Sequence, residues 1–227
     1  MTNTDRDALL DAALVHVPFE GMNERALAAG ARDIGMDAAL IRVHFPQGGA
    51  GLAAAYHRRA DRALREALAA TPPEGRFRDR VAQALWQRLE LSDPELVRAG
   101  AATLALPQSA ALAARLVWET SDVIWTALGD RSQDVNWYSK RATLTAVISA
   151  TVLFWLGDES EGRADTRAFI ERRIDRRDVG RDRQGAPAQP ARRIQTGRCR
   201  PGLDPCAPRP GTARQDPIRT TPCSPTR

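Results

Sequence analysis

The sequence predicts an all-α protein, and three observations carry that prediction. Apolar residues recur at helical spacing in each segment from Leu9 to Ile174. No segment alternates apolar and polar residues as a strand does, and there is no hairpin signal. The periodic segments are also bounded by helix start residues such as Asn23, Asp37 and Asp93, and by Gly or Pro at their ends. With 43% hydrophobic and 27% charged residues in 227, the composition is globular, which excludes wholesale disorder and a collagen-like fibre.

Leu9, Leu10, Ala13, Leu14 and Val17 mark the first helix, which the sequence expects to end at Pro18, with Gly21 as the turn residue. A second helix starts after Asn23 and stops near Gly35; a third, capped by Asp37, carries Leu40, Ile41 and Val43 and ends before Pro46. Gly48-Gly49-Ala50-Gly51 lacks the Lys-Ser/Thr of a nucleotide-binding loop and follows no strand, so it reads as a flexible link. The fourth helix, Leu52 to Ala69, carries Arg58, Arg59, Arg62 and Arg65 with Asp61 and Glu66 between them, the pattern of a solvated face. A fifth runs from Arg76 to about Glu90 with Phe77, Val81, Leu85 and Leu89 in register. Ser92-Asp93-Pro94 starts the sixth, with Asp93 as cap and Pro94 at the first helical position. Pro107 is expected to open a long seventh helix to about Leu128, stopped by Gly129. Asp134 or Asn136 then caps an eighth that runs to Leu156, and a ninth spans about Arg163 to Arg177. The uncharged run from Ala142 to Gly157 is 16 residues long and contains hydroxyl side chains. A spanning helix needs about 20 apolar residues, so this run reads as a buried core helix.

The net charge of +5 is unevenly placed. Residues 180–227 hold ten arginines against Asp182, Asp204 and Asp216, whereas residues 1–179 hold 23 basic and 25 acidic side chains. Affinity for nucleic acid rests on neutralised phosphates, so a slightly acidic body argues against it. The last part of the chain also holds nine of the 15 prolines and all three cysteines, with only Ile194, Leu203 and Ile218 as branched apolar residues. It cannot bury enough apolar surface to offset chain entropy and reads as a disordered Arg/Pro-rich tail over residues 179–227. Cys199, Cys206 and Cys223 match no zinc spacing, and their odd number gives no disulfide framework. The first residues, with Asp5 and Asp7, resemble neither a transit peptide nor a secretory signal, so a cytoplasmic location is expected.

One domain is expected, in which residues 1–46 form a helix-turn-helix-like module and residues 47–178 the remaining bundle. Leu9-Leu10-Asp11-Ala12-Ala13-Leu14, Ala28-Ala29-Gly30, Gly35-Met36 and His44-Phe45-Pro46 resemble the N-terminal module of TetR-like regulators. The resemblance implies a TetR-like helical bundle whose later helices bind a ligand and dimerise. A TetR-type DNA-binding regulator with a small-molecule pocket is therefore the alternative reading. Its chemistry is missing, however. A recognition helix needs Lys/Arg for phosphates and polar side chains for base edges, and here it reads Met36-Asp37-Ala38-Ala39-Leu40-Ile41-Arg42. Between Glu20 and Pro46 there are three arginines against four acids, so nucleic acid is not an expected partner.

An enzyme is not expected either. His16, His44 and His57 are far apart and none lies in an HExxH or EExxH motif; there is no GxSxG, and no cysteine in the body. His44, just before Phe45-Pro46, reads as a structural residue at a helix end. Glu119 and Asp122 are three apart without a partner His and read as surface or polar-network carboxylates. No cofactor and no metal are expected.

The informative segment runs from Gly129 to Arg141. Trp137 and Tyr138 are adjacent on a helix and cannot share one face, so at least one projects, unless both cap the core. Arg141 follows Trp137 by four residues and Tyr138 by three, near both on the helix surface. Aromatic residues with an arginine make an interaction hot spot, because they bury much area with few rotors. Asp134-Val135-Asn136-Trp137-Tyr138-Ser139-Lys140-Arg141, with Phe169-Ile170-Glu171-Arg172-Arg173, is similar to the Coq-nine-type accessory family of coenzyme Q (ubiquinone) biosynthesis. The likeness runs from about Arg6 to Ile174. It implies a TetR-like homodimer that binds lipid in place of DNA and presents polyprenyl quinone intermediates to the di-iron demethoxyubiquinone hydroxylase. By motif position it assigns the docking patch to Asp134, Trp137, Tyr138 and Arg141, with Asn136 within the string.

The two long helices add Leu112, Leu116, Trp118, Trp125, Leu144, Val147, Ile148 and Leu153, apolar on more than one side. Such helices can serve core, dimer seam and apolar pocket, and Leu112, Leu116, Trp118, Trp125, Leu144, Val147 and Ile148 are the candidate lipid-binding residues. A polyprenyl chain binds by burying area and needs no catalytic group. The expected ligand is an isoprenoid quinone intermediate or a phospholipid. The family's last helix leads to an amphipathic C-terminal helix that touches the membrane. Here the chain after Ile174 passes into Asp-Arg-Arg-Asp-Val-Gly and the basic tail, so membrane attachment is expected to be weak and salt-sensitive.

Overall fold

In the computed structural model, which describes residues 3–130 and 135–176, the chain opens with α1 (Asn3–Glu20), α2 (Glu24–Asp33) and α3 (Ala38–His44). Then come α4 (Gly48–Ala70), α5 (Phe77–Glu90) and α6 (Pro94–Leu104). After them stand α7 (Ala110–Ala127), α8 (Val135–Leu156) and α9 (Ala164–Arg176), and there is no strand among the described residues. Asp134 and the tail predicted over residues 179–227 lie outside the described residues.

The predicted caps are present. Asn23 accepts from the N–H groups of Arg25 and Ala26, Asp37 from Ala39, and Asp93 from Glu95 and Leu96. These bonds satisfy donors that the first turn of a helix leaves without a partner. Three expected boundaries differ. The first helix continues past Pro18 to Glu20: proline removes one N–H, yet the turn closes when Gly21 donates to the Val17 carbonyl at 2.8 Å. Residues 48–51 are no flexible link but the first turn of α4. A Cβ at Gly49 would run into the Met22 carbonyl, so glycine lets α4 begin hard against the backbone before α2. Pro107 opens a 3-10 turn, Pro107–Ser109, and the α-helix follows it.

Two apolar clusters organise the bundle. Leu9, Leu10, Val17, Met22, Leu27 and Phe45 pack with Leu52, Ala53 and Tyr56 of α4 around the first three helices. Leu64, Val81, Leu85, Ile124, Trp125, Leu144, Val147 and Ile170 form the second, built from α4, α5, α7, α8 and α9. Val97 of α6 touches both. The module expected over residues 1–46 thus shares its core with α4. Its third helix buries no residue, and Arg42 and Val43 face outward there.

Candidate partner-docking site

The site is the end of the α7–α8 hairpin. Gly129 has φ +82 and donates to the Thr126 carbonyl at 3.1 Å, while Asp130 donates to the Trp125 carbonyl at 3.0 Å. This pair of bonds is a Schellman motif, whose left-handed residue favours glycine. It delivers the Asp130 side chain, 5% exposed, beneath α8, where one carboxylate oxygen meets Lys140 Nζ at 3.2 Å and the other Arg141 Nη1 at 3.1 Å. Arg141 also donates through Nε to Asp122 at 2.7 Å, and its carbonyl accepts from Ser121 Oγ at 3.0 Å. The guanidinium carbon stands 3.9 Å from the centre of the Trp137 ring. Trp137 in turn meets Trp118 of α7 at 5.9 Å, tilted by 57°, and Tyr138 edge-on at 4.7 Å.

Of the residues assigned by resemblance, Tyr138 is 64% exposed, Asn136 is exposed, Trp137 is half-buried and Arg141 is only 2% exposed. Trp137 and Arg141 therefore stack, whereas Arg141 sits beneath the surface rather than on it. Four residues to which the sequence assigns no docking role belong to this site, two of them, Asp130 and Lys140, within the segment it singles out. Trp118, a candidate lipid contact by sequence, stands against Trp137; Asp122, Asp130 and Lys140 hold the ionic layer below. A signal was present. Trp118 and Asp122 are four apart and so share one face of α7, as Trp137 and Arg141 share one face of α8, which sets an aromatic and an ionic partner side by side on each helix. Glu119 leaves this set and binds Arg58 at 2.8 Å and Arg115 at 2.8 Å.

The candidate lipid residues divide. Trp125, Leu144, Val147 and Ile148 belong to the second apolar cluster, Leu116 is buried, and Leu112 and Trp118 are half-buried. None of the seven lines the cavity of about 560 Å³ between the α4–α5 connection, α5 and α9, whose walls include Pro73, Trp86, Arg167 and Ile170. Arg167 lies over Trp86 there at 4.1 Å.

A second polar cluster joins α4, α5 and α7, and it corrects the reading of α4 as a plain solvated face. Asp61 is 4% exposed and accepts from Arg88 Nε at 2.7 Å and from Thr120 Oγ1 at 3.0 Å. Arg88 also donates to Ser92 Oγ at 2.6 Å and the His57 carbonyl at 3.2 Å. His57 Nε2 lies 3.2 Å from the Leu116 carbonyl, which only accepts, so Nε2 carries the proton and also donates to Thr120 Oγ1 at 2.8 Å. Burial holds the His57 pKa below its ordinary value, although Asp61 pulls it upward. No group of three His, Cys, Asp or Glu among the described residues is placed to hold a metal ion.

A helical bundle that opens on one longer helix followed by two short ones and continues through the long helices α7 and α8 has a TetR-like fold. A TetR transcriptional regulator from Nitrosomonas europaea matches it with a TM-score of 0.57 over 77% of this chain and 98% of that one, at 20% identity, a likeness of fold alone. Residues 110–179, which include the whole hairpin, match the family model described as COQ9. The coq9 ubiquinone biosynthesis protein of Schizosaccharomyces pombe is 31% identical over 73% of this chain and 67% of its own length. The Drosophila melanogaster protein of the same description is 34% identical over 75% of this chain and 54% of its own length; for the human protein the figures are 30%, 73% and 55%. The chain belongs to the COQ9 family. It spans a little over half the length of the fly and human relatives.

Proposed function

We propose that the chain is a non-enzymatic accessory protein of ubiquinone biosynthesis, binding an isoprenoid quinone intermediate and docking the di-iron demethoxyubiquinone hydroxylase. The observation that carries the docking is the row Trp118–Trp137–Tyr138, partly open to solvent at the hairpin end, within the segment that matches the family. Large rigid rings backed by a buried cation are suited to a hot spot. Asn136 and Asp134 complete the proposed patch. The lipid part of the reading rests on family membership and on the apolar seam of Leu112, Leu116, Trp118, Trp125, Leu144, Val147 and Ile148. Because most of these side chains fill the core, a lipid among them requires α7 and α8 to repack. A homodimer accords with α8, whose uncharged C-terminal part leaves Ala142, Ala146 and Leu153 exposed opposite its core-facing residues. No helix among the described residues is long and apolar enough to cross a membrane.

Capture of the purified hydroxylase by the full chain tests the docking, and native mass spectrometry of the purified protein tests the lipid. Trp137→Ala is expected to weaken capture about tenfold or more with the helical signal retained. Capture equal to the wild type removes the docking assignment. Specific retention of genomic DNA at low salt, without bound isoprenoid lipid, would favour the regulator instead.

A further inference from the structure

The family likeness assigns Arg141 to the contact face, but its surroundings give it a different task. Its side chain is 3% exposed, its Nε and Nη1 are engaged by Asp122 and Asp130, and its flat guanidinium lies under the Trp137 ring. Among the described residues of this layer two carboxylates, Asp122 and Asp130, face two cations, Lys140 and Arg141, so these four charges balance. Beside Asn136 and the half-open Asp122, the described part of the hairpin end presents rings and apolar surface outward: half-buried Trp118 and Trp137, and exposed Tyr138 and Val135. An arginine stacked on an indole restricts that ring more than a lysine can, because the guanidinium is planar and its donors are fixed in a fork.

We propose that Arg141 is a positioning residue, clamped by Asp122 and Asp130 so that it fixes Trp137 between Trp118 and Tyr138, and that the face so formed meets an apolar groove of the partner, not an acidic patch. This rests on the docking reading, and it adds three residues to the site: Trp118 as a contact, Asp122 and Asp130 as supports. It also changes the chemistry expected of the partner. Contact through a free arginine would weaken with salt, whereas contact through neutral aromatic rings would not.

The test uses the full chain labelled with fluorotryptophan, with the Trp137 fluorine resonance assigned by its loss in Trp137→Phe, together with hydroxylase affinity at about 0.05 and 0.5 M salt. Without any partner, Asp130→Asn, Asp122→Asn and Arg141→Lys should each move the Trp137 resonance and leave that of Trp155 in place. Asp122 is 46% exposed, so its variant keeps the test open should Asp130→Asn fold poorly. With the hydroxylase, Arg141→Lys and Asp130→Asn should weaken binding about tenfold, Trp118→Ala similarly, with the salt dependence of the wild type retained. An unmoved Trp137 resonance in all three variants overturns the clamp. A shallower salt dependence in Arg141→Met than in the wild type overturns the apolar contact, since it would show a lost charge–charge contact. If Trp137→Ala binds like the wild type while the resonance still moves in the clamp variants, the docking reading fails and the clamp stands.

Discussion

Arg88 and Arg141 are both buried and both held by an aspartate at 2.7 Å, but they lie in regions of different purpose. Around Arg88 every partner is internal: Asp61, Ser92 and the His57 carbonyl join α4 to α5 and to the turn before α6. Around Arg141 the partners are Asp122 and Asp130, and the remaining face of the guanidinium supports an indole that reaches the surface. The same ion pair therefore holds helices together in one region and holds a surface ring still in the other. Burial and charge alone do not separate these roles; what lies against the flat face of the guanidinium does.

The largest effect that would break this comparison is at Arg88. Arg88→Met leaves Asp61 buried without its cation, and removing one member of a buried pair costs about 3–5 kcal/mol. Urea unfolding should show that loss, while hydroxylase capture per folded molecule stays at the wild-type level. Arg141→Met should cost less stability, about 1–3 kcal/mol, because Asp130 keeps Lys140 and Asp122 is open to water. Its capture of hydroxylase should nonetheless fall. If Arg88→Met lost capture and Arg141→Met kept it, the two regions would have exchanged roles.

The sequence shows the helices well because helix signals are local. Asn23, Asp37 and Asp93 each act within three residues of themselves, and their reading needs no knowledge of the fold. The differences arise where a distant element decides. Gly49 reads as flexibility until Met22 is known to press against it, and Asp61 reads as solvated until Arg88, 27 residues on, reaches it. In the docking site Trp137 and Tyr138 stand out in the sequence because they are adjacent aromatics. Their neighbour Trp118 and the support Asp122 do not, because only the packing of α7 on α8 brings them there, and Asp130 shows its role only once the turn at Gly129 carries it beneath α8. Trp118 looks like any apolar position of a core helix.

A smaller effect distinguishes the Arg88 region by pH. His57 is held neutral by burial, so between its lowered pKa and its ordinary 6.5 the unfolded chain binds more protons than the folded one. Stability should thus fall as pH drops from about 7.5 to 5.5, and the protonated ring would face Arg88 as well as Asp61. In His57→Gln, which keeps a donor for Thr120 and the Leu116 carbonyl, this slope should flatten. An unchanged slope would remove His57 as its source.

The smallest expected effect lies at the edge of the same region, where Glu119 bridges Arg58 and Arg115. The hydrogen bond from Arg58 holds the Glu119 carboxyl below its ordinary value, and Arg115 adds to this against some desolvation. A depressed carboxylate contributes stability above its unfolded pKa, near 4.5, and loses it as pH falls further through the folded value. Arg115 is well exposed and Arg58 partly so, so water and salt screen the bridge, and its worth at neutral pH is at most about 1 kcal/mol. Glu119→Gln should show that small deficit in urea unfolding at low salt, shrinking at about 0.5 M salt and below about pH 4. A deficit as large as that of Arg88→Met would mean that Glu119 belongs to the buried cluster, and that the line between ion pairs that hold the fold and those that merely border it lies further out than Asp61.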